Sequence, residues 1–371
     1  MRNRYLDLLR FLAIVRVVVY HSTGWAFLTV VFPAMSVMFA LAGSLMAASL
    51  DRSGTAAVGR RLRRLLPSLW LLAALFVPAM LLTGLAVDWR LVLWAAPLSD
   101  PPSNGWGAQA LSAVWYLRDL LWFVIVSPLA LRLFRRFPLP TLLAPYALLV
   151  VDTFGLLPPE NLVLRDFGLY FGAWLLGFAH HDGLLRRLSR RLLVGLSTVL
   201  VSTGLVWALT HPGPRGLDLN DIRLANGLVS AGFILVVLGL APAAAAWVDR
   251  FTPVGRAVTV LNRRALTIYL WHLPAIIGLN GVAAVTGWQI LRSGGGAGGV
   301  AFRIALVAAL TAVAVALFGW VEDLAARRRP VLVPDGRPPA GPRPVADVGP
   351  AAGVAAAATV HGATEPVATR R

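Results

Sequence analysis

The sequence predicts an all-α polytopic membrane protein of about ten transmembrane helices with both termini cytoplasmic, and three observations predict it. The first is composition: of 371 residues 58% are hydrophobic and only 14% charged, with a mean hydropathy of +0.72. The second is a recurrence of apolar runs of about 18 residues or more, the length a helix needs to cross hydrocarbon. The third is the placement of charge. There is no lysine, so all 34 basic residues are arginine. About 21 of them fall in alternate short connections or at the N-terminus and only about six on the opposite side, which is the positive-inside asymmetry. The net charge of +17 therefore reports topology, and nucleic acid is not expected as a partner. The absence of cysteine excludes disulfides, thiol nucleophiles and cysteine-based metal sites, and no metal centre is expected.

Span 1 covers residues 5–24. Arg2 and Arg4 before an apolar run imitate a signal peptide, but Arg10, Arg16 and His21 interrupt the run and no small-x-small cleavage site follows, so it reads as a retained helix. Span 2, residues 31–50, contains Ala40, Ala42, Gly43, Ala47 and Ala48, small residues that let neighbouring backbones approach closely. A basic connection with Arg52, Arg60, Arg61, Arg63 and Arg64 leads to span 3, residues 65–86. The stretch 88–113 is the longest outer loop, rich in Pro, Gly and Trp, and its run 91–98 is too short to span and reads as interfacial.

Span 4, residues 114–133, ends in arginines, and spans 5 and 6 follow at 139–157 and 162–179. Spans 7 and 8, at 192–209 and 224–248, flank an outer loop containing Asp218 and Asp221. Span 9, residues 265–285, a Gly-rich loop at 293–299 and span 10, residues 300–320, complete the set before Arg327, Arg328 and Arg329. Residues 1–325 form the transmembrane domain. Residues 326–371 are Pro, Ala and Gly with too few large apolar side chains to pack, so a disordered cytoplasmic tail is expected.

Ionisable groups inside membrane-length helices cost several kcal/mol and mark functional candidates. Arg10 and His21 are eleven residues apart. At about 100° and 1.5 Å per residue they share one face, stacked about 16 Å apart. Imidazole, with an ordinary pKa of about 6.5, suits a general base acting on a hydroxyl near neutral pH. The bland alternative is a histidine that only ties two helices together. Asp7 and Arg10 can pair on the helix, whereas Arg16, on a different face, has no partner that the sequence identifies.

Entering from the inside, His21 lies about 22 Å across a core of about 30 Å, and Asp119, entering from the outside on span 4, reaches the same depth. Asp119 is thus a candidate to orient His21, with compensation of the adjacent Arg118 as the competing reading. Arg60, Arg61, Arg63 and Arg64 are explained most simply by topology and anionic-lipid contact. Their guanidinium forks also suit a phosphate-bearing cofactor. His272, within Tyr269 to Pro274, is a weaker second imidazole.

The arrangement resembles the type 3 integral-membrane acyltransferase family. The matching residues are Leu6-Asp7 with Arg10 and His21 on the first helix, an R-x-x-R pair among Arg60 to Arg64, Trp115 to Leu120, Leu266 to Pro274, and Val321-Glu322. The resemblance implies acyl transfer, commonly of acetyl, from a cytoplasmic acyl-CoA to a hydroxyl of a glycan, lipid or small molecule, in a bacterial cytoplasmic membrane. It implies catalytic roles for Arg10 and His21 and donor binding by Arg10 and the arginines at 60, 61, 63 and 64. Arg16 lies outside the pattern. The alternative function is a proton-coupled transporter or flippase that uses the same buried Arg and His as a relay.

Overall fold

The structure, a computed structural model, describes residues 4–240, 252–291 and 296–332, and among these there are helices and no strands. The principal helices are α1 (Arg4–Thr23), α2 (Ala34–Ser53), α3 (Ala56–Leu82), α4 (Val114–Arg136), α5 (Pro138–Thr153) and α6 (Leu162–His181). They continue with α7 (Arg190–Thr210), α8 (Arg223–Gly239), α9 (Thr252–Arg263), α10 (Ala265–Thr286), α11 (Gly296–Phe318) and α12 (Trp320–Ala325). Six segments are long and apolar enough to cross a membrane: α2 with the short helix Phe27–Val31 before it, α3, α6, α7, α10 and α11. The chain is therefore an all-α membrane protein.

Local sequence sets the boundaries. Asn161 and Ser189 cap α6 and α7 by accepting from the backbone N–H of Leu164 and Leu192, and Pro138 opens α5, where its missing N–H costs nothing. Gly54, at φ +53°, lets α2 end and α3 begin two residues later. α3 consequently starts at Ala56, nine residues before the expected start of span 3, and Arg60, Arg61, Arg63 and Arg64 lie on its first turns instead of in a loop. Arginine is a good helix former, and nothing requires a helix to stop at the hydrocarbon boundary. Within the long outer loop, Trp89–Trp94 forms a short 3-10 helix capped by Asp88, and the indoles of Trp70, Trp94 and Trp122 donate to loop carbonyls of Ala95, Pro102 and Leu98. The last residues expected for span 8 lie outside the described residues, as does the expected tail from 333 onward. Val331, inside the stretch expected to be disordered, donates to Asp323 and accepts from Arg264.

α2 packs along α6 with its backbone almost touching. A Cβ at Gly43 would collide with the carbonyl of Trp174, and one at Gly177 with the carbonyl of Ala40, so both positions admit only glycine. Next to this seam, the Phe39 ring packs 5.0 Å from Phe123, 5.2 Å from Tyr170 and 4.8 Å from Tyr116, which joins α2, α4 and α6 in one core.

Ion pairs lock the two ends of the bundle. Where α2, α4 and α6 end, the Arg135 fork bonds Asp51 and Asp182, and His181 lies 2.8 Å from Asp51. Where α4, α6 and α8 begin, Arg118, 1% exposed, donates through three nitrogens to Asp119, Asp100 and Asp166. Arg223 continues that network to Asp166 and Asp152, and Arg165 also bonds Asp152. At the same end Arg303 ties α11 to α1 through the Ser22 carbonyl at 2.9 Å. The connection between α7 and α8 is folded by Arg215, which donates to both oxygens of Asp221 and holds that carboxyl below its ordinary range.

Two outcomes are expected. Gly43→Leu should wedge α2 from α6 and lower stability by about 1–3 kcal/mol or more, read as a fall in melting temperature of the detergent-solubilised protein. Because the folded pKa of Asp221 lies below its unfolded value of about 3.9, the pair's contribution is fully present above that value and is lost as pH falls through the folded one. Hydrogen exchange across residues 211–222 should accordingly be pH-independent in protection above about pH 5 and lose protection below about pH 4, and Asp221→Asn should show the unprotected pattern throughout.

Candidate active site

α1 carries the candidate residues on one unbroken helix, with His21 near its C-terminal end and Arg10 three turns earlier. The end of α1 is held by Tyr20, whose hydroxyl donates to Asp218 at 2.5 Å and accepts from Arg215 at 2.8 Å. Beside it lies a cavity of about 320 Å³. Its α1 lining is Arg16, Val17, Tyr20 and His21, its aromatic walls are Trp115, Tyr170 and Tyr269, and Asp166, Arg215 and Asn220 supply further polar groups. His21 is solvent-accessible although it is set deep among packed helices, as expected of a side chain that lines an open cavity.

The partner of His21 is His272 of α10, not Asp119. His272 is fully buried, and its Nε2 lies 3.2 Å from His21 Nδ1. Backbone carbonyls, which only accept, assign the protons. His272 Nδ1 is 2.6 Å from the Tyr269 carbonyl and so carries hydrogen, which leaves Nε2 of the neutral ring as an acceptor. His21 Nδ1, 3.0 Å from the Val17 carbonyl, also carries hydrogen and shares it between that carbonyl and His272. The lone pair of neutral His21 therefore resides on Nε2, the nitrogen these bonds leave open. A ring held in one tautomer and one orientation, on a cavity, is the arrangement a general base requires.

Asp119 is 2% exposed and gives one oxygen to Arg118 at 2.9 Å, within the ion-pair network described above. The expectation that it orients His21 is corrected by this geometry: the adjacent guanidinium takes the carboxylate first, and a second imidazole fills the place at His21. The competing reading, compensation of Arg118, is the one the structure favours.

Arg10 is half-buried and does not belong to the lining of the His21 cavity. It lies within electrostatic reach of Arg61 and of Tyr116. Arg61 in turn faces Arg64 and Arg52, and Arg64 faces Arg328, so several guanidinium groups converge at this end. On the helix Arg60, Arg61 and Arg64 fall within an arc of about 100°, with Arg63 to one side. Arg60, Arg63 and Arg64 are exposed and Arg61 is half-buried, and Arg60 also donates to Ser53. Tyrosines connect the two regions. The Tyr116 ring packs 4.8 Å from Tyr269, whose ring is 5.7 Å from that of His272. Arg10 and His21 share a helix face, as their spacing predicts, but the fold sets the Tyr116 and Tyr269 rings at the step between them and gives only His21 to the cavity.

Arg16 acquires a place that its sequence did not reveal. Its Nε donates to the Leu28 carbonyl at 3.1 Å and its guanidinium lies 4.9 Å over the Tyr20 ring, on the same cavity as His21. Among the other lining residues, Tyr269 was legible, three positions before His272 on a helix. Arg215 and Asn220 come from a connection whose path no periodicity encodes.

No curated protein and no solved structure matches the chain. A family model described as an acyltransferase domain matches residues 3–319, nearly the whole helical region and every candidate residue above. The chain belongs to the type 3 acyltransferase family and is a membrane acyltransferase.

Proposed function

We propose that this protein moves an acyl group, commonly acetyl, from cytoplasmic acyl-CoA to a hydroxyl presented on the opposite side of a bacterial cytoplasmic membrane. In this reading the chain crosses ten times with both termini cytoplasmic, a topology that the arginine distribution supports. The observation that carries the proposal is the His21 imidazole, fixed by His272 with its basic nitrogen open at a cavity.

The donor's phosphates are held at the basic end by Arg60, Arg61, Arg63 and Arg64, with Arg10 just beyond Arg61. The pantetheine arm then runs along the seam of α1, α4 and α10, past Tyr116 and Tyr269, over the roughly 16 Å rise to His21. His21 Nε2 takes the acceptor's hydroxyl proton as the oxygen attacks the thioester carbonyl. The carbon–sulfur bond breaks, the ester forms, and the imidazolium returns the proton to the departing thiolate of CoA. His272 stabilises the imidazolium by accepting from Nδ1–H, the task the sequence had suggested for Asp119.

Three sets of variants test this. With membranes or purified protein, His21→Ala should lower acyl transfer by about 10²–10⁴-fold while the protein inserts normally; unchanged transfer would remove the mechanism. His272→Ala should lower turnover less and leave the affinity for acyl-CoA unaltered. Replacing Arg61 and Arg64 together by Gln should raise KM for acyl-CoA by about tenfold or more with kcat largely retained, since each lost charge-assisted contact is worth about 1.5–3 kcal/mol. An unaltered KM would place the donor elsewhere.

A further inference from the structure

Resting on that acyltransferase reading, we propose that the acceptor is a single-ring polyhydroxylated compound bearing a carboxylate or phosphate, and that Arg16 binds that anion. The charged groups on the cavity decide the matter one by one. Asp166 has both oxygens occupied, one by Arg118 and one by Arg223. Arg215 spends its guanidinium on Asp221, Asp218 and the Tyr20 hydroxyl. Arg16 alone keeps donors in hand: among the described residues its two terminal nitrogens make no hydrogen bond, while its Nε is anchored on Leu28.

An arginine at this depth is costly unless something compensates it. The Tyr20 ring face supplies part of that compensation at 4.9 Å, and the free fork supplies the geometry that carboxylate and phosphate oxygens match in pairs. Anchoring at Nε fixes the plane of the fork before a ligand arrives, which reduces the ordering cost of binding.

The remaining surface fits a ring. The Trp115 and Tyr170 rings stack on each other with centroids 5.3 Å apart and, with Tyr269, make the aromatic wall of the cavity against which the C–H side of a sugar packs, and the Asn220 side chain adds a hydrogen-bonding group. At about 320 Å³ the cavity stands at the low end of the range of about 300–1,000 Å³ for ligand sites. It therefore holds one ring at a time. His21 and Arg16 then contact different parts of one molecule, the first its reacting hydroxyl and the second its anionic group.

The test compares glucose, glucuronate and glucose 6-phosphate as probes, the full-length protein being held in lipid nanodiscs with saturating CoA. Calorimetric affinities should favour the two anionic sugars over glucose by about tenfold or more. The stronger of the two identifies the source of the charge. Arg16→Gln should erase the preference while leaving CoA affinity unchanged, which also certifies the fold, and Arg16→Lys should retain part of it. Equal binding of glucose and the anionic sugars, binding of none of them, or a preference that survives Arg16→Gln would each overturn the proposal. If acetyl-CoA turnover with each sugar falls equally in Arg16→Gln, Arg16 acts on the thioester and the proposal also fails. Arg16-dependent anion binding without any acetyl-CoA consumption would instead remove the acyltransferase reading and leave the anion site standing.

Discussion

A polar group carried into hydrocarbon must find its partner inside the bundle, because there is no water to supply one. That requirement organises this protein more than its apolar packing does. Arg118 meets three carboxylates, Arg223 two and Arg135 two, and each of these guanidinium groups gathers helices that the sequence separates widely. Removing a carboxylate from Arg118, whose side chain is 2% exposed, leaves a buried charge in a medium that cannot solvate it, a cost of several kcal/mol, whereas Arg135 and Asp51 reach solvent and lose less. The apolar residues make a membrane protein, and the ion pairs decide which helices stand next to which.

Once those pairs are accounted for, the candidate site is what remains. His21 is bonded to another ring and to a carbonyl, and among the described residues no carboxylate is hydrogen-bonded to it. A carboxylate on Nδ1 would hold the imidazolium strongly, whereas a neutral imidazole orients the base with less charge stabilisation. The arrangement suits a base that must give its proton up again.

Much of the fold was legible because bilayer length and arginine placement are coarse signals that survive imprecise boundaries. The expected positions of α1, α4 and α10 agree with the structure to within a few residues, and the small residue Gly43 identified a real helix contact. What could not be read were lateral relations. Equal depth allowed Asp119 to meet His21, yet the sequence said nothing about which way span 4 turns, and Arg118 took the carboxylate. Arg16 appeared stranded because its cavity is completed by Arg215 and Asn220, from a connection with no periodic pattern. The start of α3 lies ahead of the apolar run because a hydropathy boundary is not a helix boundary.

That early start matters beyond its register. Four arginines on the opening turns of α3, near the positive pole of the helix dipole and close to Arg10 and Arg52, form an arrangement that repels itself. A flexible loop would relax by splaying the side chains apart, but a continuous helix holds them at fixed spacing. The helix thus keeps four like charges at a set separation, so that their mutual repulsion is built into the backbone and falls only where an anion lies beside them.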